Sequence, residues 1–123
     1  MPNPKSLMIL VAGPYRSGTN DDPTLIAANV KAMTVTALDL YKMGHLPVLG
    51  EWFALPLIDA AGSKEVGDEI FNSIFHPSAI RVIDHCDAVL RIGGASAGAD
   101  EMVSAGRSKG KMIFYNKTEI PSV

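Results

Sequence analysis

The chain has almost no cysteine and no strong excess of charge, and each shortage excludes a class of protein. Its single cysteine, Cys86, has no partner for an internal disulfide, and no Cys/His pattern with metal-ligand spacing occurs. The net charge is only −2, and no basic cluster stands out. Because binding to duplex nucleic acid needs a basic face, a nucleic-acid partner is disfavoured. We therefore expect a cytoplasmic protein without a metal centre.

Long hydrophobic runs are also missing. The apolar run at 7–12 ends at Gly13-Pro14 without the cleavage site of a signal peptide. A membrane-spanning helix needs about 20 apolar residues, so no membrane partner is expected. With 123 residues, 47% of them hydrophobic, the sequence predicts one domain over 1–123 with enough apolar side chains to fill a core.

Strand and helix patterns alternate along the chain. Apolar and branched runs predict strands at 7–12, 45–49, 88–92 and 112–115. Helical spacing predicts helices at 23–43, between Asp22-Pro23 and Gly44, at 68–75, from Pro77 to His85, and at 99–109. This alternation is typical of a flavodoxin/Rossmann-like α/β fold, a three-layer sandwich with a parallel sheet of four to five strands.

Two segments have no clear periodicity. The segment 50–64 mixes Trp, Phe, Pro and Gly, and it is predicted to be a loop with at most one helical turn. Within it, Glu51-Trp52-Phe53 is predicted to wall a pocket, to meet a second subunit or to form a surface loop held by its aromatic residues. The final segment, 116–123, is predicted to add an edge strand or to fray.

The loop after the first strand is the first candidate site. In an open parallel sheet, ligands bind beyond the carboxyl ends of the strands. The run Gly13-Pro14-Tyr15-Arg16-Ser17-Gly18 offers flexible glycines, an aromatic face, a cation and a hydroxyl, which could stack a base or sugar and hold an anion. The alternative is a turn whose Tyr15 and Arg16 only cover the end of the sheet.

The loop after the third strand is the second candidate. Small residues at 93–98 lead into a helix, where converging N–H groups can bind an anion. The loop matches neither GxGxxG nor the P-loop, which disfavours a nucleoside triphosphatase. Asp100 and Glu101 at the helix start either offset the helix dipole or supply a nucleophile for an anomeric carbon, and Glu101 is the better candidate for the latter.

The remaining reactive side chains have simpler interpretations. The histidines His45, His76 and His85 lie at element ends without metal-ligand spacing, where neutral or capping roles are ordinary. Cys86 precedes a buried strand and is predicted to be a core residue. We assign none of these four residues a catalytic role.

Three motifs in order along the chain together resemble the nucleoside 2-deoxyribosyltransferase superfamily. They are Gly-Pro-Tyr-Arg at 13–16, Cys-Asp-Ala-Val at 86–89, and Ser-Ala-Gly-Ala-Asp-Glu at 96–101 followed by Ala105 and Gly110-Lys111. The likeness is greatest to a small, uncharacterised bacterial branch and to the nucleoside 5′-monophosphate N-glycosidases, and it covers most of the chain. It implies that Glu101 attacks the sugar C1′. It also implies substrate contacts from Gly13, Tyr15, Arg16, Ser96, Gly98 and Asp100.

The sequence departs from the family pattern at two points. The helix before the third strand usually carries an aspartate that assists the glutamate, and that position is Ala79 here, with only Asp84 and Asp100 as substitutes. The spacing from Ser96 to Glu101 is one residue shorter than in the nucleotide-cleaving members.

The resemblance implies cleavage or transfer at the N-glycosidic bond of a nucleoside or nucleoside 5′-monophosphate. It implies no cofactor, and a homo-oligomer, a dimer or tetramer, whose neighbouring subunits help complete the site. Ala79 favours an alternative, a non-catalytic nucleotide-binding or sensor domain. A further alternative is a phosphoribohydrolase-like enzyme, because 93–101 also resembles the GG-x-GT-x-x-E loop without its threonine.

Overall fold

A sheet of four parallel strands organises the protein, whose computed structural model describes residues 5–123. The strands are β1 (Met8–Ala12), β2 (Leu46–Val48), β3 (Ala88–Arg91) and β4 (Met112–Phe114), in the order β2-β1-β3-β4. The helices are α1 (Pro23–Lys42), α2 (Gly50–Ala60), α3 (Glu69–Asp84) and α4 (Ala97–Ser108), and a 3₁₀ turn follows at Lys117–Glu119. The predicted flavodoxin/Rossmann-like α/β fold is confirmed, and β1 lies inside the sheet.

Helices cover both faces of the sheet, and β1 alternates its side chains between them. Ile9 belongs to a buried cluster with Leu40 of α1. Leu10 belongs to a second cluster with Ile83 of α3 and Met102 of α4. Because successive strand residues point to opposite faces, a strand covered on both sides is apolar throughout, as β1 is.

Helix α1 begins where it was predicted to begin and ends one residue early. The side chain of Asp22 accepts a hydrogen bond from the Thr24 N–H at 2.9 Å, and Pro23 takes the first helical position. Gly44 follows the last turn with a φ of 98°, a conformation that favours glycine. Helix α4 starts two residues before its predicted start, behind the capping side chain of Ser96.

The prediction of a loop over 50–64 is wrong, because α2 occupies most of that segment. Pro56 disfavours a helix interior and Gly50 is a poor helix former, which is why the sequence did not indicate a helix here. Every fourth residue of α2 is buried, namely Gly50, Ala54 and Ile58. Tertiary packing of this stripe therefore overrides the local propensities.

The separate helices predicted at 68–75 and from Pro77 to His85 are one continuous helix, α3. The side chain of Asp68 caps its start by accepting the Phe71 N–H at 2.8 Å. Pro77 lies inside the helix, so the prediction that it begins one is wrong. Buried Phe71 before it and buried Ile83 after it hold both halves against the core, which offsets the backbone hydrogen bond that proline cannot make.

The final segment, 116–123, contains the 3₁₀ turn and packs on the protein, so the predictions of an edge strand or a fraying end are wrong. Ile120 is 4% exposed and belongs to the cluster on the α1 side of the sheet. The ring Nε2 of His45 donates to the carbonyl of Pro121 at 2.7 Å. The N–H of Val123 donates to the carbonyl of Met43 at 2.7 Å. The segment therefore closes the core beneath the turn between α1 and β2.

Candidate functional site

A cavity of about 470 Å³ lies at the carboxyl edge of the sheet, within the size range of small-molecule sites. It is bounded by the loop after β1 and by residues of α2, α3 and α4. The polar and charged side chains in its lining are those of Tyr15, Arg16, Ser17, Asn20, Asp21, Glu51, Asn72, His76 and Ser96. This is the edge at which open parallel sheets bind ligands.

The two candidate loops meet at this edge. A Cβ on Gly93 would lie 2.6 Å from Cδ of Pro14, and a Cβ on Gly13 would lie 3.0 Å from the side chain of Ile92. Gly93 also has a φ of 79°. Glycine at these two positions lets the loops pack directly on each other, and Gly13 lies in the cavity lining.

Three aromatic rings form one wall of the cavity. The ring centres of Tyr15 and Phe75 are 4.9 Å apart, and those of Phe71 and Phe75 are 4.8 Å apart. The side-chain amide of Asn29 on α1 donates to the Tyr15 carbonyl at 2.9 Å and anchors the loop. Burial, and secondarily the carboxyl group of Glu51, raises the pKa of Tyr15. The wall can stack a planar ring.

Arg16 is held by an aspartate five residues further along the chain. Its Nε and Nη2 donate to the two carboxylate oxygens of Asp21 at 2.8 and 2.9 Å. Its guanidinium carbon lies 5.8 Å from the ring centre of Phe71. A Cβ on Gly67 would lie 2.6 Å from Arg16 Nη2, so glycine leaves room for the guanidinium. The hydrogen bonds between the two side chains raise the pKa of Arg16 and lower the pKa of Asp21.

Glu51 brings a carboxyl group into the cavity from the first turn of α2. Burial raises the pKa of this carboxyl group, although its own backbone N–H lowers it. Of the three interpretations of 51–53, the pocket wall applies to Glu51 alone. The neighbouring Trp52 and Phe53 are each 45% exposed and do not anchor the segment.

Ala79, the position where the resembled family carries an aspartate, lies in the cavity lining on α3. A Cβ on Gly50 would lie 2.9 Å from the Cβ of Ala79, so α2 and α3 are in close contact here. Glu51 follows Gly50 directly. Glu51 and Ala79 both line the cavity, so α2 supplies a carboxyl group to a cavity in which α3 has alanine at this position.

The two aspartates that could replace the family's aspartate, Asp84 and Asp100, are not among the residues of the cavity lining. Asp84 is hydrogen-bonded to Lys109, which lowers the pKa of the Asp84 carboxyl group. Asp100 accepts a hydrogen bond from Nε of Arg91 at 3.0 Å, which ties α4 to the end of β3. Asp100, also predicted to contact substrate, lies in this ion pair and is not among the residues of the cavity lining.

Glu101, the predicted nucleophile, is not among the residues that line the cavity, but it pairs with one that is. Its Oε2 is 3.7 Å from Nδ1 of His76, a residue of the cavity lining. The Glu101 side chain is 64% exposed. A Cβ on Gly98 would lie 2.8 Å from Cε1 of His76, so this glycine leaves room for the imidazole at the start of α4. His76, which we assigned no catalytic role, thus connects the cavity with Glu101.

Ser96 lies in the lining at the start of α4. Its Oγ accepts the N–H of Ala99 at 3.2 Å, and the residue is 7% exposed. The hydroxyl can still donate its own proton to a ligand. Ser96 thus caps the helix and faces the cavity at once.

Three other sequence candidates lie away from the cavity lining. Both ring nitrogens of His45 are engaged, with the N–H of Leu7 and the carbonyl of Pro121. His85 follows α3 as its C-cap. Cys86 is buried in the core as predicted, and burial raises the pKa of its thiol to about 11.

Sequence reasoning missed several residues of this lining, among them Phe71, Phe75 and Asp21. Phe71 and Phe75 are four residues apart and share a face of α3, a spacing that could have indicated an aromatic wall once the helix was recognised. Asp21 reaches Arg16 through backbone with a φ of 58°, a conformation that Asn and Asp tolerate but that the residue types of this loop do not assign to a position.

The comparisons with known proteins add no identity to this architecture. No protein-family model matches the chain, and no curated protein matches its sequence. Within residues 5–123, no three His, Cys, Asp or Glu side chains form a group that could hold a metal ion. In the same part of the chain, no helix is long and apolar enough to cross a membrane.

Proposed function

We propose that the protein cleaves or exchanges the N-glycosidic bond of a nucleoside or nucleoside 5′-monophosphate, with Glu101 as nucleophile and Glu51 as general acid. The observation that carries the proposal is a cavity with an aromatic wall that has the carboxyl group of Glu51 in its lining and a second carboxyl group, that of Glu101, 3.7 Å from the lining residue His76. Two carboxyl groups in unlike surroundings are the usual catalytic pair of enzymes that break glycosidic bonds.

The chemistry takes two steps. In the first, an oxygen of Glu101 bonds to C1′ while the C1′–N bond breaks and its electron pair stays with the base. Protonated Glu51 donates its proton to the departing base, and the raised pKa of this carboxyl group favours the protonated form. In the second step, water or another base bonds to C1′, the bond to Glu101 breaks, and the Glu51 carboxylate accepts the proton of the incoming group.

Glu51 supplies the group that is missing at Ala79. In the resembled family the aspartate on this helix assists the nucleophile and the leaving base. Gly50 contacts Ala79 from the neighbouring helix, and Glu51, the next residue, lines the same cavity as Ala79. This arrangement supports an active enzyme despite the alanine.

The first experiment compares glutamine variants of three glutamates. The wild-type chain, Glu101→Gln, Glu51→Gln and the exposed control Glu69→Gln are incubated with ribo- and deoxyribonucleosides and their 5′-monophosphates, with and without a second free base. Chromatography then measures base release and exchange. We expect Glu51→Gln to slow cleavage by about 10²–10⁴-fold, as removal of a general acid does, and Glu101→Gln to abolish it. Unchanged cleavage by Glu101→Gln would remove this residue from the mechanism.

A pH profile distinguishes an acid from a structural residue. Because Glu51 acts in its protonated form, cleavage is expected to fall as the pH rises through the raised pKa of this carboxyl group. Glu51→Gln cannot lose a proton, so its slower reaction should lack that decline. A decline of the same shape in the variant would assign the titration to another group.

The exposure of Glu101 favours a second candidate function, a nucleotide-binding module without turnover. Its side chain is 64% exposed, and nucleophiles of glycosidic bonds act in sites shielded from bulk water. In that case no nucleoside is cleaved by any variant, while ligands still raise the melting temperature of the wild type.

A further inference from the structure

The loop between β1 and α1 holds Asp21 against Arg16 in an uncommon backbone conformation. Asn20 and Asp21 have φ values of 51° and 58°, a region that residues with a Cβ rarely adopt. Buried Thr19 supports this turn, because its Oγ1 donates to the Arg16 carbonyl at 2.6 Å and accepts the Asp21 N–H at 3.1 Å. Two successive residues with positive φ thus bring the Asp21 carboxylate to the guanidinium of Arg16.

This ion pair determines whether the cavity presents a free positive charge to a ligand. Among the described residues of the lining, Arg16 is the only Lys or Arg. Two of its donors are taken by Asp21, and its guanidinium is confined by Phe71 and by the backbone of Gly67. The other titratable side chains of the lining are acidic, phenolic or imidazole groups, and one of them, His76, lies 3.7 Å from the carboxyl group of Glu101. No uncompensated cation therefore faces a ligand from this described lining.

We propose that Asp21 is a specificity residue that selects an uncharged nucleoside over its 5′-monophosphate. The inference rests on the proposed function, because it takes the ligand to be a nucleoside. Carboxylate and phosphate both bind a guanidinium through two parallel hydrogen bonds, so Asp21 occupies the Nε/Nη2 edge of Arg16, one of the two edges at which a phosphate can bind, and offsets its charge. A bound phosphate would also face the negative charge of Asp21. A nucleoside has no charge to face Asp21, so it can bind while the ion pair stays intact.

The test is the substitution Asp21→Asn, which removes the charge, keeps the shape and retains a residue type that tolerates positive φ. Calorimetry measures the binding of the common nucleosides and their 5′-monophosphates, and of ribose and ribose 5-phosphate, to the full chain. We expect the wild type to prefer nucleosides, and Asp21→Asn to bind monophosphates at least about tenfold more tightly than the wild type does. Nucleoside affinity should change by less than about threefold, because no charged group of the ligand is involved.

Two further variants make the result specific. Asp22→Asn removes the same charge one residue along the chain, outside the cavity lining, and should leave the preference unchanged. In the double variant Arg16→Gln/Asp21→Asn, the gain in monophosphate affinity should disappear. Equal effects of Asp21→Asn and Asp22→Asn, or a wild type that binds monophosphates as tightly as nucleosides, would overturn the proposal.

The binding and cleavage experiments test the specificity role and the glycosidic activity separately. A preference that shifts in Asp21→Asn while no variant cleaves any substrate would support the specificity role and count against the glycosidic activity. Cleavage by the wild type, together with an unchanged ligand preference in Asp21→Asn, would support the glycosidic activity and count against the specificity role. Failure of every ligand to bind either protein would overturn both.

Discussion

Asp68 shows how one side chain can stabilise a helix start. Its carboxylate accepts hydrogen bonds from the N–H groups of Phe71 and Lys64 and from the hydroxyl of Ser63. These bonds, the one from Phe71 first, lower the pKa of Asp68 to about 2. An aspartate in an unfolded chain has a pKa of about 3.9, so the carboxylate stabilises the fold at neutral pH. This stabilisation is lost as the pH falls from the unfolded-state pKa, about 3.9, towards the folded-state pKa, about 2.

We therefore predict that Asp68→Ala lowers the melting temperature at neutral pH. The difference from the wild type should shrink as the pH falls towards about 2, where the wild-type carboxylate becomes protonated. Thermal unfolding followed by circular dichroism over a pH series measures this. Asp59→Ala, at an exposed aspartate of α2, controls for the loss of charge. A difference that stays constant with pH would show that the side chain acts by packing alone.

Helices α2 and α3 are closely packed where Gly50 contacts Ala79. A Cβ on Gly50 would lie 2.9 Å from that of Ala79, closer than real Cβ atoms approach each other. We predict that Gly50→Ala destabilises the protein by about 1–3 kcal/mol, the usual cost of overpacking a buried contact. Denaturant unfolding measures the change, and Gly94→Ala, whose Cβ would meet nothing within 4 Å, is the control.

The same contact provides a rescue. If the loss in Gly50→Ala comes from this clash, the added substitution Ala79→Gly should recover part of the stability, and the two changes should not be additive. Additive losses would place the cause in the backbone of α2 rather than in the contact.

This contact also marks where sequence reasoning stopped. The strands and α1 were predictable because buried runs, the cap at Asp22 and the stop at Gly44 are local patterns. Helix α2 was not, because Gly50 and Pro56 are both unfavourable for a helix, and Ala79, which faces Gly50, is distant in the sequence. The acid role proposed for Glu51 depends on that same packing, so no motif could have indicated it.

At the scale of the whole molecule, the last residues complete the core. Ile120 is 4% exposed and packs with residues of β1, α1 and β3. We predict that Ile120→Ala costs about 2–5 kcal/mol of unfolding free energy, as large-to-small core substitutions do. Leu57→Ala, at a leucine that is 55% exposed, should cost less than about 0.5 kcal/mol. Similar losses in both variants would mean that the final segment detaches in solution.

The buried thiol of Cys86 can serve as a probe of how often the core opens. It is the only cysteine of the chain, and its raised pKa and 2% exposure protect it from alkylation in the native state. The rate at which a maleimide modifies it therefore reports how often the core around the sheet opens. A ligand that binds the folded cavity slows that labelling in proportion to its occupancy, so mass spectrometry can rank candidate ligands without any assay of turnover.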